Sequence, residues 1–267
     1  MLALIGIRKY LDKEITYHKI EMFIDKNINN KIFVSYDEVL NADKSRWEKY
    51  NFVVTGSDHV WCIGTQTLKQ AEYFYLKFIP REKRVCYAPC FGFSQLSDSE
   101  DYELHKKGLE GFDNLSCREQ EGVNLIKQII NKDAQLVLDP TLLLNASQWR
   151  ELEKKPDIGL PEKYLLTYFL YNIPEYEQAI KQAAGDLPIV NLRTYTCPDL
   201  PGYMADVDVN EFLYLFDHAD LIFTNSFHGT AFSINFGKNF YSFVREDDHS
   251  GRINTILNSL NLIVNQL

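Results

Sequence analysis

The sequence lacks the cysteine patterns that mark zinc sites, redox dithiols and disulfide-rich proteins. Its five cysteines include no Cys-x-x-Cys pair, which argues against a zinc site and a redox motif. Cys86 and Cys90 are four residues apart in a predicted strand, about 13 Å from each other, which is too far for a disulfide. Unpaired thiols are typical of a reducing compartment, so we expect a cytoplasmic protein.

Long hydrophobic runs, a basic surplus and cofactor motifs are also missing. No apolar run approaches the ~18 residues of a membrane span, and no signal-peptide pattern is present, so we expect at most a peripheral contact with membranes. The net charge of −9 argues against nucleic-acid binding. The Gly-x-Gly-x-x-Gly, P-loop and Gly-x-Ser-x-Gly motifs are absent. We therefore expect no cofactor, and no metal ligand set is apparent.

What the sequence does contain is apolar material and an alternation of strand and helix patterns. Hydrophobic residues make up 45% of the 267 residues, with 17 Phe and 16 Tyr to fill a core. The alternation predicts an α/β fold with mainly parallel sheets and right-handed crossovers. The predicted strands are residues 52–55, 84–88, 114–117, 135–138, 164–170, 188–192, 221–224 and 240–244, and the predicted helices are residues 17–27, 99–109, 118–130, 174–184, 211–216, 230–236 and 252–260.

A polar stretch punctuated by proline and glycine, residues 151–161, is the best candidate for a linker. It predicts two Rossmann-like lobes, an N-terminal lobe of residues 1–155 and a C-terminal lobe of residues 156–267. A chain of this length suits one large domain or two small ones.

The most informative segment is the turn around His228. The apolar run 221–224 predicts a buried parallel strand, and a helical pattern follows the turn and stops at Gly237. Backbone N–H groups and the positive end of the helix dipole then face whatever lies over the turn, which suits an anion. An imidazole there can pass protons near neutral pH; the alternative is a ring that caps the turn or packs in the core. The binding residues predicted beside it are Asn225, Ser226, Gly229 and Thr230.

The spacing Thr-x-Ser-x-His occurs twice in the chain. It is found in residues 55–59, which include Ser57 and His59, and again in residues 224–228. Both copies follow an apolar run, so they predict two similar turns at strand ends, one in each half of the chain, facing a cleft. A chance match of so short a pattern is the alternative.

Arginines follow predicted strands or open predicted helices. Arg118 starts a helix, where the dipole disfavours a cation, and a guanidinium at a strand end can bind a carboxylate or phosphate through two hydrogen bonds. An ion pair with Glu119 or Glu121 is the alternative. Arg245 and Arg252 could also reach an anion, although a surface position is favoured for both.

Other side chains receive narrower predictions. Asp58 can serve as a base or as a group that binds an acceptor. Asp139, before a proline, is expected in a structural turn. Trp61 could stack on a sugar ring, although packing in the core is favoured. The remaining histidines lie in polar segments, where we expect exposed side chains without a role: His18, His105, His218 and His249.

Five segments, in order along residues 50–237, resemble the motifs of the polysaccharide pyruvyl transferase family. Together they make a specific match, although none would do so alone. The segments are Tyr50-Asn-Phe-Val-Val-Thr-Gly-Ser-Asp-His-Val-Trp61, Lys83-Arg-Val-Cys-Tyr-Ala-Pro-Cys-Phe-Gly92, Leu115-Ser-Cys-Arg-Glu119, Val137-Leu-Asp-Pro-Thr-Leu-Leu143 and Thr224-Asn-Ser-Phe-His-Gly-Thr-Ala-Phe-Ser233.

The resemblance implies a glycosyltransferase-B-like fold and transfer of the enolpyruvyl carbons of phosphoenolpyruvate onto two sugar hydroxyls. The acceptor would be a sugar or a lipid-linked oligosaccharide of cell-surface polysaccharide assembly. By position, Arg118 and His228 match family residues that grip the donor. We expect His228 to be an acid or phosphate ligand, Arg118 to clamp the donor, and Asp58 or His59 to serve the acceptor.

The chain also departs from the family pattern. The Gly-Ser-Asp motif starts at residue 56, so the first strand, loop and helix of the family are expected to be missing and the N-terminal lobe incomplete. His59 replaces the usual Gln, and Cys90 the usual Ser. An exposed sheet edge would favour a homodimer. The alternatives are a glycosyltransferase that uses a nucleotide-sugar donor and a catalytically inactive binding relative.

Overall fold

Two compact units make up the chain. The computed structural model describes residues 19–27, 36–43, 45–62, 72–96, 99–171, 176–192, 203–205, 207–244 and 251–262. We name each unit after a candidate site residue. The His228 unit comprises Met1–Lys31 and Leu144–Phe243, and the Arg118 unit comprises Ile32–Leu143 and Val244–Leu267.

This division differs from the predicted lobes 1–155 and 156–267 at both ends of the chain, and its central boundary lies at Leu143–Leu144. The C-terminal helix Gly251–Ser259 belongs to the Arg118 unit. Its Thr255 hydroxyl accepts a hydrogen bond from the Gln120 amide at 3.2 Å, across 135 positions of sequence. A local sequence pattern cannot indicate that the C-terminal helix packs on a unit formed by residues much earlier in the chain.

Short strands and helices alternate along the described residues, which confirms the predicted α/β class. The strands are β1 (Val53–Thr55), β2 (Arg84–Cys86), β3 (Ser116–Cys117), β4 (Gln135–Leu136), β5 (Leu165–Tyr168), β6 (Ile189–Leu192), β7 (Tyr203–Ala205), β8 (Leu221–Thr224) and β9 (Phe240–Ser242). The helices are residues 19–27, Tyr36–Leu40, Ser45–Glu48, Ser99–Leu109, Gln120–Ile130, Ala146–Arg150, Glu177–Ala184, Val209–His218, Phe227–Asn235 and Gly251–Ser259. Strand β7 was missed because no apolar run marks it.

The five strands of the His228 unit form a sheet in which every pairing is parallel, in the order β7-β6-β5-β8-β9. The chain winds outward from β5 to β7 and then returns to place β8 on the other side of β5. The winding therefore reverses between β5 and β8. In open parallel sheets, ligands bind outside the carboxyl ends of the strands at such a reversal.

Both faces of this sheet are covered by helices, so its central strands are apolar on both sides. Leu166 and Ile222 point to one face and pack with the Val209–His218 helix, whereas Leu165 and Phe223 point to the other. This explains why β5 and β8 read as continuous apolar runs in the sequence.

Helix ends in both units are set by local signals. Asp208 and Glu211 form a reciprocal capping box at the start of Val209–His218. Asn131 adopts a left-handed conformation, with φ of 55°, directly after Gln120–Ile130. Gly237, with φ of 64°, follows the Phe227–Asn235 helix, near the end that the sequence predicted.

The Arg118 unit contains two parallel strand pairs, β1 with β2 and β3 with β4. The Ser116 hydroxyl joins the pairs, since it donates to the Cys86 carbonyl at 3.0 Å and accepts from the Ala88 amide at 3.2 Å. Beyond it, the Arg118 amide donates to the Pro89 carbonyl. The carboxyl ends of the four strands therefore lie side by side.

One apolar core fills the Arg118 unit. Trp61 is fully buried, as predicted, and stacks on Tyr75 with 5.3 Å between ring centroids. Cys86 and Cys117 belong to the same core as unpaired thiols, and burial raises the pKa of each thiol. In the described part of the chain, no helix is long and apolar enough to cross a bilayer.

The expectation that His105 is exposed is wrong. Its side chain is fully buried on the inner face of Ser99–Leu109, among the rings of Phe91 and Phe93. The ring Nδ1 is hydrogen-bonded to the Tyr75 hydroxyl. Burial lowers the pKa of His105 from 6.5 to about 4, so the imidazole is neutral in the native protein near neutral pH.

We predict that His105 makes the protein sensitive to acid. Because its native pKa is about 4 and its ordinary value is 6.5, the unfolded chain binds a proton first, and stability falls as the pH drops from 6.5 to 4. The slope from this group is at most about 1.4 kcal/mol per pH unit. His105→Gln should flatten the pH dependence of the free energy of unfolding in this range, measured by urea denaturation. Parallel pH profiles for the variant and the wild type would contradict the assignment.

Candidate functional site

The turn around His228 is built directly on the end of β8. The Ser226 hydroxyl accepts a hydrogen bond from the Gly229 amide at 3.3 Å and caps the Phe227–Asn235 helix. The helix thus begins three residues before the predicted start at residue 230. The Thr224 hydroxyl accepts from the Ser226 amide at 3.0 Å. Strand, turn and helix are therefore joined by side chains within the motif itself.

Gly229 allows the helix to lie close to the strand. A Cβ atom at this position would stand 2.3 Å from the Thr224 hydroxyl oxygen, a distance that no side chain tolerates. The glycine therefore serves close approach of backbone to strand, and its amide is already used by the cap.

Two of the predicted binding residues direct their polar groups into the fold. The Asn225 side chain accepts from the Leu170 amide at 2.7 Å and donates to the Tyr171 carbonyl at 3.0 Å. The Thr230 hydroxyl donates to the Ser226 carbonyl at 3.0 Å. The structure thus places Asn225 and Thr230 as groups that hold the turn in shape.

His228 occupies the first turn of the helix and is half-buried. Its ring meets the Phe227 ring edge-on, with centroids 5.4 Å apart and planes at 79°. The side chain therefore keeps contact with solvent while its backbone lies at the positive end of the helix dipole. At the reversal between β5 and β8, this arrangement suits an anionic ligand and a proton transfer.

Tyr168 is a candidate that the sequence reasoning missed. It ends β5 and pairs with Thr224 across the sheet, and its carbonyl accepts a hydrogen bond from the Thr224 hydroxyl at 2.7 Å. Burial raises the pKa of Tyr168, and the nearby Ser226 side chain partly offsets this. The available signal was its place at the end of an apolar run, but the pairing of β5 with β8 was needed to bring it to the turn.

Arg118 is the centre of an ion network in the other unit. Its guanidinium is completely buried and donates to Asp139 through Nη1 and to Asp58 through Nη2, both at 2.5 Å. Among the described residues, its ion-pair partners are Asp58 and Asp139 rather than Glu119 or Glu121. Both terminal nitrogens of the guanidinium are engaged by carboxylates, so an anion would have to compete with them. Arg118 therefore lies at a strand end as expected, but its charge is directed into the protein.

Asp139 holds the network from the opposite side. It caps a short turn, accepting from the Thr141 amide at 3.0 Å and from the Thr141 hydroxyl at 2.8 Å, and it also accepts from Ser57 at 3.0 Å. Burial alone would raise the pKa of Asp139, but the Thr141 amide and the Arg118 guanidinium hold that pKa below its ordinary value. The predicted structural turn is present, and it also anchors the arginine.

Asp58 is the member of this network that reaches solvent, with a side chain 56% exposed. It follows a tight turn in which Gly56 has a φ of 120° and a Cβ atom would stand 2.0 Å from the Tyr87 carbonyl oxygen. Asp58 itself has a φ of 63°. Close packing of the backbone thus fixes the direction of the carboxylate.

The two Thr-x-Ser-x-His segments are alike at their threonines, each of which ends a strand, but differ in what their serines hold. The second Ser caps a helix, whereas Ser57 accepts from the Asp58 amide at 2.6 Å and donates to Asp139. His59 is half-buried against Gly92. Arg245 lies outside the described residues.

One further cluster of titratable groups lies in the His228 unit. Ligand atoms of Glu153, Asp217 and His218 lie within 4.8 Å of one another. Arg150 already binds Asp217 through two nitrogens, at 2.7 and 2.8 Å, so positive charge is supplied from within the protein. The cluster is at the start of β8, and His228 follows its end. It therefore does not belong to the His228 turn.

Solved structures share this architecture. A protein assigned as a UDP-N-acetylglucosamine 2-epimerase from Listeria monocytogenes aligns with a TM-score of 0.50 at 12% identity, over 93% of this chain and 77% of that one. UDP-GlcNAc 2-epimerases of Methanocaldococcus jannaschii and Neisseria meningitidis align with TM-scores of 0.48 and 0.45, at 13% and 11% identity, over 87% of this chain and 74% and 75% of theirs. Together with the parallel strand pairing, the alignment with the Listeria monocytogenes protein indicates an α/β fold of the glycosyltransferase-B-like class.

The family follows from the sequence match. The family model for polysaccharide pyruvyl transferases matches residues 1–247 of 267. The chain therefore belongs to the polysaccharide pyruvyl transferase family and is a transferase enzyme. No curated protein matches the chain significantly.

We predict that Arg118 is a large contributor to stability. Arg118→Gln leaves Asp139 buried without its cation and should lower the free energy of unfolding by about 3–5 kcal/mol, measured by urea denaturation. The control is Arg81→Gln, which breaks an exposed pair with Asp113 and should cost about 1 kcal/mol or less. The double variant Arg118→Gln/Asp139→Asn should lose less than the two single losses combined. Strict additivity would show that the two groups do not interact.

We predict that ionisation of Glu153 costs stability. Burial and the adjacent Asp217 raise the pKa of Glu153 from 4.5 to about 7, so the native protein keeps a proton that the unfolded chain has lost. Stability should fall as the pH rises from 4.5 through 7. Glu153→Gln should therefore raise the melting temperature more at pH 8 than at pH 5. Glu177→Gln, in an exposed pair with Lys181, should show no such difference, and equal effects of the two substitutions would contradict the prediction.

Proposed function

We propose that the chain transfers the pyruvyl carbons of phosphoenolpyruvate to two hydroxyls of a sugar, making a cyclic ketal in cell-surface polysaccharide assembly. Family membership supports a transferase that acts on polysaccharide. The observation that carries the donor assignment is the half-buried His228 on the first turn of Phe227–Asn235, where the winding of the sheet reverses. Such a place suits a small metabolite with two negative groups.

The reaction needs one acid, one base and a site for phosphate. A proton adds to the methylene carbon of the donor, and the oxygen of one sugar hydroxyl attacks the adjacent carbon. The second hydroxyl then attacks the same carbon, and the carbon–phosphate oxygen bond breaks. The methylene carbon takes up one proton, and the two sugar hydroxyls release one proton each. One released proton replaces the proton taken up and the other leaves with phosphate, so no oxidant or cofactor is required.

On the donor side, we assign His228 as the acid or as a ligand of the leaving phosphate. It lies on the first turn of the helix, where the positive end of the helix dipole can stabilise developing negative charge. Asn225, Gly229 and Thr230 would then act by holding this turn rather than by touching the donor.

On the acceptor side, we assign Asp58 and His59. Asp58 is exposed and its direction is fixed by the backbone, and His59 follows it in a half-buried position. Ser57 accepts a hydrogen bond from the Asp58 amide and donates one to Asp139, and Arg118 forms an ion pair with the Asp58 carboxylate. These contacts hold Asp58 in position. In this proposal, Arg118 orients the acceptor-binding carboxylate instead of clamping the donor.

We predict that His228→Gln abolishes ketal formation with little change in stability. Loss of a positioned acid costs about 10²–10⁴-fold in rate, and a half-buried side chain contributes little packing. Product formation from phosphoenolpyruvate and a sugar acceptor is measured by mass spectrometry, and binding of phosphoenolpyruvate by the rise in melting temperature. The matched control is His218→Gln, an exposed histidine of the same unit, which should keep wild-type activity.

The same melting assay separates the alternatives. Stabilisation by phosphoenolpyruvate supports the proposal, stabilisation by a nucleotide sugar alone supports a glycosyltransferase, and stabilisation by neither supports an inactive relative. A His228→Gln chain with partial activity and a large loss of stability would show that the ring is structural.

A further inference from the structure

Arg252 is less exposed than its sequence position suggested. It lies in the first turn of Gly251–Ser259, and its side chain is only 17% exposed. Its Nη1 stands 3.8 Å from Oδ1 of Asp58, which is too long for a hydrogen bond. The expectation of a surface arginine is therefore wrong, because the C-terminal helix returns to the Arg118 unit.

The start of this helix is held in place by close packing. A Cβ atom on Gly251 would stand 2.6 Å from a carboxylate oxygen of Glu121. One turn later, the Thr255 hydroxyl accepts from the Gln120 amide and donates to Glu121 at 3.5 Å. The backbone of Arg252 is thus fixed against the helix that follows Arg118.

The guanidinium of Arg252 is poorly satisfied by the fold. Its Nε is buried and has no hydrogen-bond partner among the described residues. Buried donors without partners are costly and uncommon in native proteins. Among the described residues, the ion-pair partner of Arg252 is the exposed carboxylate of Asp58, so its guanidinium is placed to share a ligand with that carboxylate.

Groups of opposite charge meet at Asp58. Arg118 is fully buried between Asp139 and Asp58, and Arg252 faces the same Asp58 oxygen. A ligand arriving from solvent meets a carboxylate beside a guanidinium, which is a poor site for an anion but a good one for groups that both donate and accept hydrogen bonds.

We propose that Asp58 and Arg252 bind two hydroxyls of the sugar acceptor, with Asp58 accepting a hydrogen bond from one and Arg252 donating to the other. This rests on the proposed function and names the acceptor side of it. Arg252 lies beyond residues 1–247, the part that the family model matches, so the family match itself does not assign this residue a role.

The test is direct binding of simple glycosides by saturation-transfer NMR titration. The probes are methyl glycosides of glucose, galactose and mannose. Arg252→Gln should weaken binding of the glycosides that the wild type binds by about tenfold or more, the value of a hydrogen bond to a charged group. Binding of phosphoenolpyruvate should change by no more than about twofold. Arg81→Gln, an exposed arginine of the same unit, should change neither.

Deoxygenated glycosides identify the bond itself. A deoxy glycoside that lacks the hydroxyl bound by Arg252 should bind the wild type less tightly than the complete glycoside does. The Arg252→Gln variant should bind the deoxy glycoside and the complete glycoside equally well. Arg252→Lys keeps the charge beside Asp58 and should give an intermediate loss because the planar fork is gone. It also serves as the test if Arg252→Gln melts below the assay temperature.

The outcomes separate this inference from the proposed function. Unchanged glycoside binding in both Arg252 variants, equal loss of phosphoenolpyruvate binding, or a wild type that binds none of the glycosides would overturn the inference. A wild type that binds glycosides through Arg252 but fails to bind phosphoenolpyruvate would instead contradict the assigned donor.

Discussion

The parallel alignment of strands is the constraint on which both candidate sites depend. In a parallel sheet the carboxyl ends of neighbouring strands meet at one edge, so residues far apart in sequence become neighbours. In the His228 unit this brings Tyr168, at the end of β5, beside Thr224 at the end of β8. In the Arg118 unit it brings together Asp58, Arg118 and Asp139, which follow three different strands.

The two units use this constraint differently. The His228 unit offers a helix start and an imidazole, a combination of fixed positive potential and a titratable ring that favours an anion. The Arg118 unit places its strongest charge out of reach of solvent and leaves a carboxylate at the surface. Buried ion pairs of this kind are costly to form and costly to break, which makes them suitable for fixing the direction of an exposed partner.

Small residues shape both turns. Gly229 lets the helix approach Thr224, and Gly56 lets the turn before Asp58 pass close to Tyr87. Each glycine stands within three residues of a proposed functional side chain. Glycine thus stands at the positions where the backbone has the least space for a side chain. An added methyl group at either position would displace the proposed functional residue beside it.

Much of this protein could be predicted from its sequence because the signals are local. The apolar runs that became β5 and β8, the break at Asn225, the helix after it and the position of Arg118 after a strand all arise from residues within a few positions of each other. The order of motifs was enough to indicate the family.

Burial and interaction partners could not be predicted in this way. His105 and Arg252 lie in polar segments, yet both side chains are largely buried. Their surroundings come from distant parts of the chain, and Arg118 likewise meets two carboxylates that no local pattern links to it. The sequence determined which elements form and which chemical groups stand at their ends. Tertiary structure alone decided which of those groups face each other, because strand order and the return of the C-terminal helix depend on packing between segments that sequence spacing does not connect.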